Sequence, residues 1–374
     1  MRERRLVLVT FLLVSVLLAA CAPRWDAEII GPDGAAERLT GELWKDVAGG
    51  DDGVALERLL WSAGHALVES VTVTMADGTA RTYAWSAEMA EAQWHGDGEL
   101  AIGGDRLTPV RVEVTAPASP DGVQATIRDI APTAASALGL RSLEGADGTA
   151  LTSAPATHVL LLFLDGLGYV RYQEALAAGD IPVLAALGEP MVALTVYPPG
   201  TRVATAALLT GALPERTGVT DASVRDTDVE TLFDVATEAG LSVVSVEGQS
   251  LAFNLRSTEV VLSGDRDGDG STDDNVLANT LDVVESGMPD LLLVHFHGID
   301  DAGHTYGPGA AEEIETLRYV DQAVGRLLAT LPEDTMVIAF ADHGMHRVQQ
   351  EGRLGDHGHL IERDMLIPIW IVEP

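Results

Sequence analysis

Residues 158–166 read HVLLLFLDG: a strand-length run, His158–Leu164, that is apolar on both alternations and ends abruptly on Asp165-Gly166. A strand with apolar residues on both faces must be covered on both faces, which is the condition of a parallel sheet held between helices. One such run could equally be a buried helical segment. Five more decide the matter: Met191–Tyr197, Leu241–Val246, Asp290–Phe296, Thr335–Phe340 and Met365–Val372, each short and rich in Val, Ile and Leu. Helix-periodic stretches lie between them at Ala204–Leu209, Val229–Ala239, Asp274–Val284 and Ala311–Leu328. This alternation predicts an α/β fold, a mostly parallel central sheet flanked by helices.

Upstream the pattern changes. From residue 24 to about 118, short apolar runs such as Leu67–Met75 and Val110–Val114 alternate with Gly/Asp clusters, as in a small β-rich domain. Ala116–Gly122, rich in Pro, Ala, Ser and Gly, reads as a boundary. The chain begins with a basic patch (Arg2, Arg4, Arg5), an apolar run Leu6–Leu18, and Ala19-Ala20 before Cys21, its one cysteine. That run falls short of the roughly 18 apolar residues of a spanning helix, so it reads as an export signal. Leu18-Ala19-Ala20-Cys21 resembles a bacterial lipobox, which implies lipidation at Cys21. The expected organisation is a lipoprotein signal peptide at 1–20, a β-rich domain at 21–118, a linker or permuted closing segment at 119–157, and a catalytic domain at 158–374. The expected location is the outer face of a bacterial membrane, with the exported chain held by its lipid.

Among 374 residues, 23 Lys+Arg stand against 57 Asp+Glu, a formal net charge of −34; loss of residues 1–20, with three Arg and one Glu, would leave −36. Lys45 is the sole lysine. Binding a nucleic-acid backbone needs clustered basic residues, so nucleic acid is excluded as a structural partner. An acidic chain repels polyanionic substrates, which favours small phosphate esters. A single cysteine excludes intramolecular disulfides, Cys-type zinc sites and Cys-x-x-Cys redox pairs. Any metal chemistry must use His and carboxylates.

In open α/β sheets, ligands bind beyond the carboxyl ends of the strands. The first run is followed by Asp165-Gly166, the second by Pro199-Gly200-Thr201, the fourth by Asp300-Asp301-Ala302-Gly303-His304 and the fifth by Asp342-His343-Gly344. A His-rich loop, Gly355-Asp356-His357-Gly358-His359, precedes the sixth. Alone, Thr201 would read as a helix cap and Asp165 or Asp342 as turn residues. Together, Asp and His with one Thr and no thiolate suit borderline or hard divalent metals. Two ions about 3.5–4 Å apart can clamp the attacking and leaving oxygens of a phosphoryl displacement. An oxygen nucleophile such as Thr201 is activated by metal coordination.

These residues carry a resemblance. The chain resembles the alkaline phosphatase superfamily, most closely its nucleotide pyrophosphatase/phosphodiesterase branch, over about residues 158–374. Leu162-Phe163-Leu164-Asp165-Gly166 is similar to the first-strand motif, whose Asp is a metal ligand. In TRVATAALLTG (201–211), Thr201 falls where the family keeps its nucleophile. Asp300 to Pro308 resembles D-x-x-G-H-x-Y-G-P, Asp342 to Met345 resembles D-H-G-M, and Gly355 to Gly358 resembles G-x-H-G. The resemblance implies one metal, usually zinc, on Asp300, His304 and His357, a second on Asp165, Asp342 and His343, and Thr201 shared between them. It also implies in-line attack by Thr201 and a phosphothreonine intermediate.

The branch usually reads T-F-P-N from the nucleophile, where this chain has Thr201-Arg202-Val203-Ala204, and Val219 to Ser223 lacks the family's phosphate-binding Asn. Arg202 is the candidate replacement. His295 and His297, two residues apart on one strand face, are core or support for the ligands. His359 competes with His357, which is preferred by its position. Asp265, Asp267, Asp269, Ser271 and Asp273 sit at positions one, three, five, seven and nine of an EF-hand-like loop that ends in Val276 instead of Glu, so a structural calcium ion is expected there. Asp129-Ile130-Ala131-Pro132-Thr133 resembles a segment that closes the fold in many superfamily members, here moved ahead of the first strand. The expected function is therefore a two-metal phosphodiesterase or pyrophosphatase acting on small phosphate esters. A phosphomonoesterase or phosphonate hydrolase of the same superfamily is the near alternative, and a noncatalytic surface-binding lipoprotein with a structural metal site the distant one. The missing C-x-P-x-R motif disfavours a sulfatase.

Overall fold

The structure, a computed structural model, describes residues 25–48, 51–116, 122–266, 268 and 270–374. The expected signal peptide at 1–20, Cys21, Asp267 and Asp269 lie outside the described residues. Two compact units divide at Ala118/Ser119.

The first unit is β-rich. Its five-stranded sheet runs Ala36–Thr40, Asp26–Ile30, Pro109–Thr115, Ser70–Met75, Ala80–Ala84, and its four-stranded sheet runs Gly53–Ala55, Gln93–His95, Leu100–Ile102, Asp105–Leu107. Ser70–Met75 alternates Thr outward with Val71 and Val73 inward, the pattern of an antiparallel strand covered on one face. Trp94 is fully buried and stacks on Trp25.

The second unit is built on an eight-stranded sheet. Its strands are β1 (Ala125–Thr126), β2 (His158–Leu164), β3 (Met191–Leu194), β4 (Val243–Glu247), β5 (Glu259–Leu262), β6 (Leu291–Phe296), β7 (Thr335–Phe340) and, after the hairpin β8 (His346–Gln350) and β9 (Arg353–Asp356), β10 (Leu366–Val372). Their order is β1-β3-β10-β7-β2-β6-β4-β5, parallel throughout except for β10. β2 lies between β6 and β7, with Leu161 opposite both Leu293 and Ile338, and Val159 to Leu164 are all buried. The uninterrupted apolar reading of residues 158–164 follows from that central place.

Each of the six apolar runs forms a strand. β3 stops at Leu194 instead of Tyr197, ahead of Pro198-Pro199, which can supply no ladder N–H. β1 and β5 were not expected; the first is two residues long and the second a half-exposed edge. The longer helices are α1 (Ile130–Ala137), α2 (Tyr169–Ala178), α3 (Thr201–Thr210), α4 (Leu232–Glu238), α5 (Asp273–Ser286), α6 (Gly298–Tyr306) and α7 (Ala311–Leu328). α4 begins at Leu232 instead of Val229 because Thr231 and Asp234 exchange hydrogen bonds in a capping box. Residues 122–157 are part of the second unit, since β1 pairs with β3 and α1 packs against α3. A buried bidentate pair, Arg171 to Glu313 at 2.8–3.2 Å, ties α2 to α7, and Glu313 also accepts from the Gly309 N–H.

Candidate two-metal site

Each predicted ligand stands at or just past the carboxyl end of a sheet strand, or on the β8–β9 hairpin. Asp165 follows β2, and its N–H donates to the Phe296 carbonyl at 3.0 Å, which fixes it beside the start of α6. Gly166 takes φ +76, and a Cβ there would stand 3.0 Å from Asp300 Cα; only glycine meets both demands. Asp300 and His304 are four apart on α6, hence on one face, with His304 Nε2 3.2 Å from Asp300 Oδ2. Asp342 and His343 follow β7 and are fully buried. His357, just past β9, places Nε2 3.8 Å from Asp300 Oδ1.

Two groups result whose donor atoms lie within 4.8 Å of one another: Asp300, His304 and His357, and Asp165, Asp342 and His343. Backbone carbonyls set the imidazoles. His304 Nδ1 bonds the Gly355 carbonyl at 2.9 Å, His357 Nδ1 that of Pro199 at 3.0 Å, and His343 Nδ1 that of Gly344 at 3.0 Å. With Nδ1 donating in each case, Nε2 is the nitrogen turned to the site, the one a cation would take in place of a proton. Buried Asp165 Oδ1, Asp300 Oδ1 and Asp342 Oδ2 have no hydrogen-bond donor. Three orphaned carboxylate oxygens beside three imidazole nitrogens fit divalent cations and would be costly without them.

The electrostatics agree. Burial, with the neighbouring Asp165 charge, pushes the Asp342 carboxyl up to about 7. Burial would lower His343, but Asp342, Asp300 and Asp165 raise it to about 9. Burial raises Asp165 too, yet hydrogen bonds from His295 and His297 outweigh it and hold this carboxyl well below its ordinary range. Burial and the His343 charge hold His357 down to about 4, so it is neutral at pH 7, the form that binds metal.

Thr201 is the first residue of α3, and its Oγ1 lies 3.3 Å from His343 Nε2. The α3 ladder begins when the Ala204 N–H bonds the Gly200 carbonyl, so the N–H groups before it are open to an anion. Arg202, expected at the phosphate, gives Nε to the Ala252 carbonyl at 2.9 Å. Arg353 was missed by the sequence reading; its Nη2 lies 3.3 Å from His304 Nε2 and 2.6 Å from Asp356 Oδ1. His359 belongs to neither group; its backbone N–H donates to Asp364 and its ring lies 5.3 Å from that of His346. In the acidic loop, Asp265 accepts from the Gly268 and Gly270 N–H groups, and the Asp273 carboxylate accepts from the N–H groups of His297 and Gly298 at 3.0 Å. Asp273 therefore holds the β6–α6 junction instead of facing the loop.

The profile of the Type I phosphodiesterase / nucleotide pyrophosphatase family matches residues 245–367. GPI ethanolamine phosphate transferase 3, catalytic subunit, of Homo sapiens is 30% identical over 123 residues, which is 33% of this chain and 10% of that protein. Ectonucleotide pyrophosphatase/phosphodiesterase family member 3 of Bos taurus is 35% identical over 74 residues, 18% of this chain and 8% of that protein. The match to these relatives thus spans about a tenth of their length. Among solved structures, human ectonucleotide pyrophosphatase / phosphodiesterase 5 aligns with TM-score 0.46 at 14% identity, covering 58% of this chain and 88% of that one. Phosphonoacetate hydrolase from Sinorhizobium meliloti 1021 aligns with TM-score 0.41 at 18% identity, covering 52% and 58%. The matched stretch contains Asp300, His304, Asp342, His343 and His357, and the fold brings Asp165 and Thr201 to them from outside it. Residues 245–367 are thus similar to the Type I phosphodiesterase / nucleotide pyrophosphatase family.

Proposed function

We propose that the chain is an exported, lipid-anchored hydrolase that cleaves phosphodiester or pyrophosphate bonds of small substrates with Thr201 as nucleophile. The observation that carries this reading is the place of Thr201 Oγ1, 3.3 Å from His343 Nε2 at an open helix N-terminus. A site built only to bind a structural ion has no use for a hydroxyl there. Asp300, His304 and His357 would hold one divalent ion and Asp165, Asp342 and His343 the other. Such ions, zinc by family resemblance, supply Lewis acidity and lower the pKa of an oxygen nucleophile.

The residues themselves do the rest. Thr201 Oγ, having given up its proton to solvent, forms the new bond to phosphorus while the P–O bond opposite breaks and its electron pair leaves on the departing oxygen. The first N–H groups of α3 face the nonbridging oxygens, and the helix N-terminus favours their negative charge. Water then displaces Thr201 from phosphorus, releasing the phosphate monoester and returning a proton to Thr201 Oγ. Lipid anchoring rests on the Leu18-to-Cys21 pattern alone. No helix among the described residues is long and apolar enough to cross a membrane.

Hydrolysis of bis-p-nitrophenyl phosphate and of p-nitrophenyl phosphate by residues 22–374 tests the proposal. Faster cleavage of the diester, lost in Thr201→Ala, supports it. Preference for the monoester would move the assignment to a phosphatase, and no cleavage of either by metal-loaded protein would remove the catalytic reading.

A further inference from the structure

Asp165 has two carboxylate oxygens and two sets of neighbours. Oδ1 faces the site above, 3.5 Å from His343 Nε2. Oδ2 faces the other way, 3.0 Å from His295 Nε2 and 3.5 Å from His297 Nδ1. We infer that Asp165 Oδ2, His295 Nε2 and His297 Nδ1 hold a third divalent cation of the zinc class, with Glu247 orienting both imidazoles from behind.

The spacing suits an ion. Donors about 2.1 Å from a tetrahedral zinc stand about 3.4 Å apart. The two separations from Asp165 Oδ2 bracket that value, and the three donor atoms lie within 4.8 Å of one another. Two imidazoles and one carboxylate select first-row divalent ions over calcium or magnesium.

The far side of each ring is provided for as well. Glu247 Oε2 stands 2.9 Å from His295 Nδ1 and 3.6 Å from His297 Nε2, and Ser245 Oγ donates to Glu247 Oε1 at 3.0 Å. Metal-bound imidazoles commonly donate their outer N–H to a carboxylate, which fixes the tautomer and strengthens the ligand. One buried glutamate does this for His295 and faces the outer nitrogen of His297. His297 Nε2 is buried without a hydrogen-bond partner, so the hydrogen-bond network does not by itself account for this ring's position.

The pocket is rigid. His295 stacks on Phe163 with centroids 3.7 Å apart, and the two imidazoles lie 3.6 Å apart. Gly248 leaves room for His297: a Cβ there would stand 2.9 Å from its Cδ2. The Asp273 carboxylate holds the His297 and Gly298 N–H groups. Asp165 would bridge this cation to the neighbouring group through its second oxygen, drawing charge from one of the two reaction-site ions.

Zinc content tests the site without reference to turnover. Metal-stripped full chain, purified in detergent, is re-equilibrated with zinc and assayed by mass spectrometry. The inference expects three equivalents in the wild type, two in His297→Ala, and a third equivalent held about 10- to 100-fold more weakly in Glu247→Gln. A wild type saturating at two, or a third equivalent that survives His297→Ala, would overturn it. Should His297→Ala fail to fold, a zinc-edge anomalous map of wild-type crystals decides: a peak among Asp165 Oδ2, His295 Nε2 and His297 Nδ1 supports the site, and its absence overturns it. Wild type with two zincs and Thr201-dependent diester cleavage would end this inference and leave the proposed function standing.

Discussion

Removing the metals should make the second unit less stable as pH rises from 6.5 to 9. His343 is fully buried, and Asp342, Asp300 and Asp165 raise it from 6.5 to about 9 against the opposing effect of burial. A histidine raised on folding gives its full stabilisation below its unfolded pKa and loses it as pH climbs through the folded value. Asp342, pushed up to about 7 by burial and Asp165, has the same sign, because its ionisation costs more in the folded state. His357, held down to about 4, has the opposite sign, but its window lies below 6.5. At 1.36 kcal/mol per pKa unit, the His343 shift corresponds to a loss on the order of 3 kcal/mol across the window. For a unit of this size that is roughly 6–12 °C in Tm. Calorimetry of chelator-treated protein in matched buffers reads it directly. With zinc restored, the ions supply the counter-charge and the slope should largely vanish. A metal-free Tm that stays flat or rises from pH 6.5 to 9 would refute the reasoning, since the carboxylates would then not be stabilising the His343 proton.

Three further outcomes follow from named contacts. His357→Ala should lose one equivalent of metal and most turnover; a full metal complement would mean that Asp300 and His304 find their third ligand elsewhere. Glu313→Ala strands the buried Arg171 guanidinium and should cost about 3–5 kcal/mol by urea unfolding; a loss below about 1 kcal/mol would show that water reaches the pair. Cys21→Ser should release the chain from the membrane fraction, whereas unchanged association would point to an uncleaved N-terminal helix.

The sheet was legible because its central strands are buried on both faces, so burial alone writes them into the sequence as apolar runs. The edges were not. β5 carries a half-exposed Glu-Val-Val-Leu and β1 only Ala125-Thr126, too little apolar surface to stand out. α6 contains Gly298, Gly303 and two adjacent aspartates, poor helix formers, and its start is held from a distance by Asp273. Local propensity could not reveal it. The ligands were legible as polar residues ending apolar runs. Glu247 was not, because its strand reads as complete at Val246; the carboxylate is buried one residue later, opposite histidines from β6 and the β6–α6 junction. The partners that make its burial tolerable are 48 and 50 residues away, beyond any local pattern.

The most direct test of the central claim is to identify the residue that carries phosphorus during turnover. Metal-loaded protein, mixed with bis-p-nitrophenyl phosphate and quenched in acid within one turnover, is digested and mapped by mass spectrometry, with Thr201→Ala alongside. The account predicts a phosphoryl adduct on Thr201 and, in the variant, neither adduct nor turnover despite unchanged metal content. An adduct on another residue, or undiminished diester cleavage by Thr201→Ala, would contradict it.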